Sequence, residues 1–453
     1  MSTQSTPLKQ QLFHMTWPML IGMLAISSGQ LVDSAFIGQL GAEPLAVVGF
    51  SMPIYQLIIG IQVGLGIATT AVISMALGAN KTAYAKQLGA LIIATGFVLI
   101  SLLCLLLWAT QSSIFSLLGA DTTLLPLVRV YWFPWLISCW LGAMLYFGFS
   151  LFRAYGQTRF PGIVLVLTSL INILLDPLFI FTFDMGLAGA AWATVGAFGL
   201  GCMIIFVAIY RQRWILLPNT LATIHHGLQR LFSFTAPAML SQFLPPLTAL
   251  IATGLVASHG NAIVAAWGLG SRIEFFSIII VLSLTMSMPP IIGRLRGRQQ
   301  FAQIDQLMRI AIGFVIVFQL FIALIILFVS APLSHLLTSD TQTADNVHQY
   351  LLLVPLSYAG LGISMITISA CSAIGMPAQA VIISVIRLFG CYLPLLWIGS
   401  VLAGPTGLFS GAMLGNMLAG YLSWLRYQQQ FKRLIAQSHD DQDSRVSETE
   451  ALC

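Results

Sequence analysis

A few polar residues interrupt the apolar N-terminal half of the sequence, and their spacing suits the binding of a proton or a cation. Asp33 lies in "SGQLVDSAFIG", and Asn172 and Asp176 lie in "NILLDPLFIF". Asn172 precedes Asp176 by four residues and Gln30 precedes Asp33 by three, so each pair shares one face of a helix. Two nearby carboxylates in a low-dielectric setting cannot easily both be charged, so one is expected to hold a proton.

The sequence around these residues is that of an integral membrane protein. It has 453 residues, of which 58% are hydrophobic and 7% charged, with a mean hydropathy of +0.92. A soluble domain carries about 25% charged residues. An ionisable side chain at membrane depth costs roughly 2.5–3.5 kcal/mol on insertion scales. Asp33 and Asp176 therefore need an explanation.

Twelve apolar segments are long enough to cross a bilayer core of about 30 Å, which takes about 20 helical residues. They span 11–39, 45–77, 88–118, 124–152, 160–183, 187–210, 229–258, 261–291, 301–330, 345–373, 377–401 and 406–431. Their continuous runs of Leu, Ile, Ala and Gly predict an all-α integral membrane protein with twelve transmembrane helices.

The basic residues give the expected orientation. Sixteen of the 19 Lys and Arg residues fall in the connections and tail that lie inside if the N-terminus is cytoplasmic. The outer connections, around Gly41, Asp121, Asp184, Gly260, Asp340 and Gly404, have essentially none. The positive-inside rule therefore predicts that both termini are cytoplasmic.

The two halves of the sequence repeat one pattern. "TWP" at 16–18 aligns with "TAP" at 235–237, an offset of 219 residues. At the same offset Gly41, Ala46, Gly49, Gly78, Ala83 and Gly156 meet Gly260, Ala265, Gly268, Gly297, Ala302 and Gly375. Because six helices per half is an even number, both halves enter the membrane from the same side. This predicts two six-helix bundles related by a pseudo-two-fold axis along the membrane normal, as in transporters with a central cleft.

The repeat defines the expected domains. We predict an N-lobe over residues 1–210, a cytoplasmic linker over 211–228 and a C-lobe over 229–433. Residues 434–453 are polar and charged and predict a disordered cytoplasmic tail.

Asp33 and Asp176 fall at similar depth, because each lies seven or eight residues from the predicted outer end of its helix. Thr194, on the next helix, could reach the same depth. One interpretation is structural, with the carboxylates fastening two helices together. The other is a proton-binding pair that lines an outward-facing cavity.

Residues of the first helix expected to line that cavity are Met23, Ser27, Gln30 and Ser34. Pro18, below Asp33, permits a kink or a hinge.

The C-terminal half lacks these acids, since Ala252 and Leu395 stand at the repeat positions of Asp33 and Asp176. It has instead Arg272, Glu274 and Arg387. Glu274 can pair with Arg387, and we interpret that pair as a structural tie more readily than as a substrate contact. The predicted function is therefore asymmetric between the lobes.

Several segments together resemble the multidrug and toxic compound extrusion (MATE) family. They are "WPML" at 17–20, "LVDSAFIGQLGAEPLAVVG" at 31–49, "FRAYGQTRFPG" at 152–162, "NILLDPLFIF" at 172–181 and "GLAGAAWAT" at 186–194. The resemblance covers almost the whole chain before the tail. It implies two six-helix bundles facing a central cleft, in agreement with the repeat.

Within that family the chain is similar to the DinF-like branch, chiefly through "RIE" at 272–274 and the acids of the N-lobe. The resemblance implies that Asp33, Asn172, Asp176 and Thr194 couple transport to a cation and that helix 1 bends at Pro18. The sodium-linked NorM-like branch has acids in helices 7 and 10. The corresponding segments "QFLPPL" and "LSYAGLGISMITISACSAIG" have none, which argues against a sodium site in the C-lobe.

These observations predict a proton-driven antiporter of the bacterial inner membrane that exports amphipathic, often cationic, organic compounds. Carboxylate and amide oxygens also suit Na⁺, so sodium coupling at Asp33, Asn172 and Asp176 stays open. A flippase for lipid-linked saccharides is a further alternative, although it would need a cationic cavity.

The expected partners are small organic molecules, the coupling ion and membrane lipids. We expect a monomer with no nucleic acid and no cofactor.

An intramembrane enzyme is the alternative from another class. The histidines lie near predicted helix ends and do not converge, and no two cysteines have CxxC spacing. The sequence therefore predicts neither a catalytic site nor a structural metal site.

Overall fold

The computed structural model describes residues 7–117 and 124–451. These residues form helices joined by short turns, with no strand among them. The helices are α1 (Leu8–Gln39), α2 (Ala42–Gly78), α3 (Thr82–Ala109), α4 (Gln111–Leu117), α5 (Leu125–Ala154), α6 (Arg159–Pro177), α7 (Gly186–Gln212), α8 (Leu221–Ala257), α9 (Asn261–Ser277), α10 (Ile279–Gly297), α11 (Phe301–Leu337), α12 (Thr341–Leu353), α13 (Tyr358–Ile374), α14 (Pro377–Val385) and α15 (Leu393–Ala451).

Among the described residues, the twelve predicted segments fall on helices, and most bounds agree within a few residues. The third, 88–118, is interrupted at Thr110, between α3 and α4. In the described part of the chain, eleven helical stretches are long and apolar enough to cross a membrane. The last of them, Pro377–Ser438, is 62 residues long. Its backbone leaves helical geometry at Ala403 and Gly404, immediately before Pro405. This break separates the predicted eleventh and twelfth segments.

Some segments for which the sequence predicts a single helix are interrupted in the structure. The eighth is broken at Ile278, between α9 and α10. The tenth has a 3₁₀ turn, Val354–Ser357, between α12 and α13. Leu178–Thr182 and Ile386–Tyr392 are π-helical, and such turns are frequent at functional sites. Hydropathy does not detect these interruptions because they change hydrogen-bond register without changing composition.

The internal repeat is visible in the backbone conformation. Residues with positive φ recur at the offset of 219: Gly41 with Gly260, Asn80 with Gln299, and Gly156 with Gly375. Positive φ is uncommon outside glycine, so the pair Asn80 and Gln299 (φ 59° and 58°) is informative. The turns that end corresponding helices therefore have the same geometry in both halves.

The chain folds into two compact units. Of the described residues, the first unit comprises those within 1–243, 286–298 and 373–375, and the second comprises those within 244–285, 299–372 and 376–453. Apolar clusters from α2, α3, α5 and α7 form the core of the first unit. In the second unit, Tyr350, Tyr358 and Phe409 are among the fully buried side chains. The first unit thus takes in segments from the C-terminal half of the sequence.

The structure has helical backbone in parts of the predicted linker and of the predicted tail. In the predicted linker 211–228, irregular backbone is confined to the short stretch between α7 and α8, because α8 begins at Leu221. Thr220 precedes this helix and its Oγ1 accepts a hydrogen bond from the Thr223 N–H.

In the segment 434–453, predicted to be disordered, the backbone of α15 is helical as far as Ala451. That segment has no Gly or Pro to end a helix. The predicted outer connection around Asp121 lies outside the described residues.

Candidate functional site

Asn172 joins the two neighbouring helices of the candidate site. Its Nδ2 lies 3.3 Å from Asp176 Oδ1 on the same helix, α6, and 3.3 Å from Thr194 Oγ1 on α7. The Thr194 hydroxyl in turn donates to the Ala190 carbonyl at 3.1 Å. The Thr194 oxygen can therefore accept a hydrogen bond from Asn172, while the Thr194 hydroxyl proton is donated to a carbonyl within α7. The structure thus brings Asn172, Asp176 and Thr194 into one hydrogen-bonded group.

Asp176 is fully buried, at 0% exposure, and Asp33 is partly buried. Asp33 lies near enough to Asp176 and to Tyr131 for their charges to interact. Asp33 Oδ1 and Asp176 Oδ2 are both buried without a hydrogen-bond partner among the described residues. A buried carboxylate oxygen without a donor is costly. Two such oxygens, on interacting carboxylates, leave acceptor capacity for a proton or a small cation.

Helix α1 carries Asp33 and packs closely on α6, which carries Asp176. Small residues permit the approach: a Cβ added at Gly29 would lie 2.6 Å from Ser169 Oγ, and one at Gly162 would lie 2.6 Å from the Pro18 carbonyl oxygen. Ser169 also donates to the Ala25 carbonyl at 2.7 Å. Small residues at membrane helix interfaces let backbones approach in this way. The packing of α1 on α6 therefore positions the two acids.

Pro18 lies within α1, which continues through it without a break from Leu8 to Gln39. Two residues before Pro18, the Thr16 Oγ1 donates to the Leu12 carbonyl and lies 2.7 Å from Ser287 Oγ of α10. Neighbouring polar side chains commonly support helices near a membrane proline in this way. The static structure therefore shows a proline within a continuous helix, and its predicted role as a hinge stays a prediction.

The four residues predicted to line the cavity differ in exposure. Gln30 and Ser34 are exposed, whereas Met23 and Ser27 are partly buried. The Ser34 hydroxyl donates to the Gln30 carbonyl at 2.8 Å, on its own helix. The hydrogen-bonded group of Asn172, Asp176 and Thr194 is built from α6 and α7. Helix α1 adds the carboxylate of Asp33, which interacts with Asp176 through charge. The cavity role of these four residues remains a prediction.

The polar residues of the C-terminal half form a separate cluster in the second unit. The Tyr350 hydroxyl donates to Glu274 Oε2 at 3.2 Å. Arg387, on a π-helical turn, interacts with Glu274 through charge. At the break that follows α9, Gln319 donates to the Ser277 carbonyl at 3.1 Å. Glu274 therefore has its direct hydrogen bond from a tyrosine, and Arg387 attracts it at longer range.

The sequence prediction missed Tyr131 and Ser169. Tyr131 lies in the aromatic run "VYWFPW", directly between Val130 and Trp132, so its adjacent residues do not distinguish it as part of a polar site. Ser169 precedes Asn172 by three residues and Asp176 by seven, so helical spacing alone could have placed it on the same face. Among the described residues no three His, Cys, Asp or Glu side chains come together as a metal site would require.

A repeated bundle of membrane-spanning helices with buried carboxylates defines the class of the molecule as a secondary transporter. The family model MatE matches the chain twice, over residues 18–178 and 237–398. The two matches begin 219 residues apart, which is the offset of the internal repeat. The chain belongs to the MatE family of transporters, and its fold is the twelve-helix, two-bundle fold of that family.

Related proteins agree with this assignment over nearly the full length. The chain is 50% identical to the MATE transporter VcmN of Vibrio cholerae, crystallised in a bent form; the match covers 94% of this chain and 97% of VcmN with a TM-score of 0.92. It is 30% identical to an FAD transporter of Shewanella oneidensis over 92% of this chain and 93% of the relative. It is 23% identical to the multidrug export protein MepA of Staphylococcus aureus, over 93% and 94% of the two chains.

Proposed function

We propose that the protein is a multidrug antiporter that exports amphipathic or cationic organic compounds in exchange for protons held by Asp33 and Asp176. One observation carries the proposal: two interacting carboxylates, one partly and one fully buried, each have a buried oxygen without a hydrogen-bond partner among the described residues. A purely structural tie between α1 and α6 would be expected to use those oxygens in hydrogen bonds. The similarity to a multidrug export protein supports the cargo class.

Protonation changes the charge of this buried pair. When both carboxylates are ionised, their repulsion and burial favour an arrangement of α1 that leaves them hydrated. Uptake of protons removes that charge, so α1 can bend at Pro18 and close the space beside α6. Substrate is then released outward, and deprotonation towards the cytoplasm restores the first state. Moving an equilibrium from 1:99 to 99:1 takes about 5.5 kcal/mol, which sets the scale of coupling that protons and substrate must supply.

The proposed location is the bacterial inner membrane, with both termini cytoplasmic. Support comes from the distribution of basic residues, since sixteen of 19 lie in connections on the side of the N-terminus. The structure turns the chain at those connections, between α2 and α3, α5 and α6, α7 and α8, and α10 and α11. We further propose that the protein acts as a monomer, since each chain supplies its own pair of carboxylates.

Transport in proteoliposomes tests the proposal. Purified protein is reconstituted with a fluorescent organic cation inside, and cation movement is followed after a pH jump or after an imposed sodium gradient. We expect a pH-driven flux in the native protein and a loss of at least about tenfold in Asp33→Asn, because an amide cannot exchange a proton. Glu43→Gln is the matched control, since Glu43 is an exposed acid in the first turn of α2.

Full pH-driven flux in Asp33→Asn would contradict the proposed proton site. Flux driven by sodium and not by pH would keep the site but change the coupling ion, because carboxylate and amide oxygens also coordinate Na⁺. Absence of flux under both gradients would favour a flippase for lipid-linked saccharides.

Export of flavin dinucleotide is a second candidate function. The observation that favours it is the 30% identity to an FAD transporter, over almost the full length of both chains. The same proteoliposomes loaded with FAD distinguish the two candidates. Retention of FAD while the organic cation leaves supports the multidrug exporter, and release of FAD alone supports the flavin exporter.

A further inference from the structure

The C-terminal ends of α2 and α10 meet inside the first compact unit. The atom nearest to a Cβ added at Gly78, the last residue of α2, would be the Arg294 carbonyl oxygen of α10. The atom nearest to a Cβ added at Gly297, the last residue of α10, would be the Met75 carbonyl oxygen of α2. Backbone therefore lies against backbone at both points, and neither glycine can carry a side chain unless a helix moves.

This contact is reciprocal. Gly78 and Gly297 are separated by the repeat offset of 219 residues, and so are Met75 and Arg294. Each glycine thus meets the carbonyl of the residue that corresponds to its own neighbour in the other half of the sequence. Contacts in which residue i meets residue j and j meets i are those of a two-fold axis. The two helix ends therefore cross at a pseudo-two-fold contact between the halves.

The side chains at this crossing extend the same reciprocity. A Cβ at Gly156, which follows α5, would lie 2.8 Å from Arg294 Nη1, and one at Gly375, which follows α13, would lie 3.7 Å from Met75 Sδ. Gly156 and Gly375 are also counterparts in the repeat, and both have positive φ, 77° and 102°. Each helix end therefore places a side chain against the turn that ends a helix of the other half.

The chemistry of the two sides differs. Arg294 Nη2 donates to the Ala154 carbonyl at the end of α5, at 3.4 Å. The C-terminus of a helix carries partial negative charge, which a cation stabilises. Met75 has no donor to offer the corresponding carbonyl, that of Ala373. One side of the crossing is thus held by a charged hydrogen bond, and the other by apolar packing.

A second polar contact lies on the same side. Two turns before Arg294 on α10, Ser287 Oγ lies 2.7 Å from Thr16 Oγ1 of α1. The repeat counterparts of these two residues are Ala68 and Thr235. Ala68 has no hydroxyl, and Thr235 Oγ1 is buried without a hydrogen-bond partner among the described residues. Helix α10 therefore makes polar contacts to the first half that its counterpart α2 does not make to the second.

We propose that this crossing closes the cytoplasmic side of the transport path and that Arg294 latches it by capping α5. The cytoplasmic placement rests on the proposed orientation, and the need to open rests on the proposed transport function. Separation of α10 from α5 leaves a helix end without its cationic cap, so Arg294 stabilises the closed form. The alternative is a fixed interface, in which the glycines join two helices that never separate.

A cross-link tests whether the crossing must open. Ala79 and Arg298, which directly follow the two glycines, are both exposed. In the cysteine-free protein, Ala79→Cys and Arg298→Cys are joined by a short, reducible bis-methanethiosulfonate in proteoliposomes loaded with the organic cation and with FAD. We expect the cross-link to abolish flux and its reduction to restore flux. The matched control joins Lys86→Cys to Leu216→Cys within the first half, where the Leu216 N–H donates to the Lys86 carbonyl at 3.3 Å.

Spin labels at positions 79 and 298 measure the closure without substrate or gradient. In lipid nanodiscs we expect a short distance to dominate in the otherwise native protein. Arg294→Met gives α10 the side chain of its counterpart on α2, and it should raise the ratio of long to short distances at least about tenfold, because a charged hydrogen bond is lost. Arg294→Lys keeps a cationic donor and should have a smaller effect.

The matched control for charge is Arg211→Met, an exposed arginine in the last turn of α7. Gly78→Ala should also lengthen the distance, and if it misfolds, the Arg294 variants decide the result. Undiminished flux through the cross-linked protein would overturn the closure, and distances unchanged in Arg294→Met would overturn the latch. If the native protein exports neither compound, the proposed function fails, whereas the distances still decide whether the crossing opens and whether Arg294 holds it.

Discussion

Asn172 is the residue through which the candidate site is organised. One side-chain amide lies within 3.3 Å of both Asp176 and Thr194, so it fixes the position of a fully buried carboxylate relative to α7. A hydrogen bond that involves a charged partner contributes about 1.5–3 kcal/mol. Asp33 has no such donor on its Oδ1 among the described residues. The two acids are thus unequally supported, and Asp33 is the better place to test proton exchange.

A second carboxylate, outside the membrane spans, gives a pH-dependent prediction. Asp340 precedes α12 and accepts hydrogen bonds from Thr343, from its Oγ1 at 2.5 Å and from its N–H at 2.9 Å. These bonds hold the pKa of Asp340 below its usual value. The stabilisation is therefore present above the ordinary aspartate pKa of about 4 and is lost as pH falls through the lower folded value.

We expect Asp340→Ala to lower the thermal midpoint of the detergent-purified protein modestly at neutral pH, because the N-terminus of α12 loses its cap. The difference from the native protein should shrink as pH falls below the aspartate range. Asp340→Asn is the control, since asparagine also caps helices but does not titrate. A difference between Asp340→Ala and the native protein that stays constant down to acidic pH would contradict this account.

At the scale of helices, the close approach of α1 and α6 depends on small residues. The Pro18 carbonyl oxygen occupies the space that a side chain at Gly162 would need. Gly29 and Gly22 on α1 are similarly close to Ser169 and Leu165 of α6. This interface carries one acid of the pair on each helix, so its spacing sets the distance between them.

We expect Gly162→Ala to destabilise the protein by about 1–3 kcal/mol, the usual cost of overpacking, and to reduce transport because α1 is displaced beside Pro18. Thermal unfolding and the proteoliposome flux measure the two effects. Gly49→Ala on α2 is the matched control: its Cβ would meet no atom within 4 Å, and alanine favours the helix over glycine by about 0.5–1 kcal/mol. Equal stability of the two variants would contradict the proposed interface.

Helix irregularities distinguish the two halves at the same scale. Residues 261–297, which correspond in the repeat to the uninterrupted α2, form two helices with a break at Ile278. Gln319, fully buried, satisfies the carbonyl of Ser277 beside that break. Glu274 lies one turn earlier. The C-terminal half therefore lacks acids at the repeat positions of Asp33 and Asp176. Its polar cluster lies elsewhere, beside an interrupted helix.

At the scale of the whole molecule, the orientation in the membrane decides which solution each site meets. We expect the connection near Ser258 to face outward and the end of α7 at Gln212 to face the cytoplasm. In a cysteine-free background, Ser258→Cys should react with a membrane-impermeant maleimide on intact cells, and Gln212→Cys should react only after the cells are opened. Both positions are exposed, so accessibility depends on the side of the membrane.

The cysteine-free protein, in which all six cysteines are replaced, must first retain the transport activity of the native protein. The five cysteines among the described residues are free thiols, so their replacement breaks no disulfide. The reverse labelling pattern would invert the proposed orientation.

The sequence by itself determined the membrane class, the twelve apolar segments, the repeat and the pairing of Asn172 with Asp176. These features depend on composition and on the periodicity of a single helix, which neighbouring residues in sequence encode. Tertiary structure decided the contact of Asn172 with Thr194 and the proximity of Tyr131 to Asp33. Those contacts join residues from different helices. Periodicity specifies the face on which a side chain lies, whereas the helix that packs on that face, and how closely, is set by the fit of glycines, carbonyls and side chains across the interface.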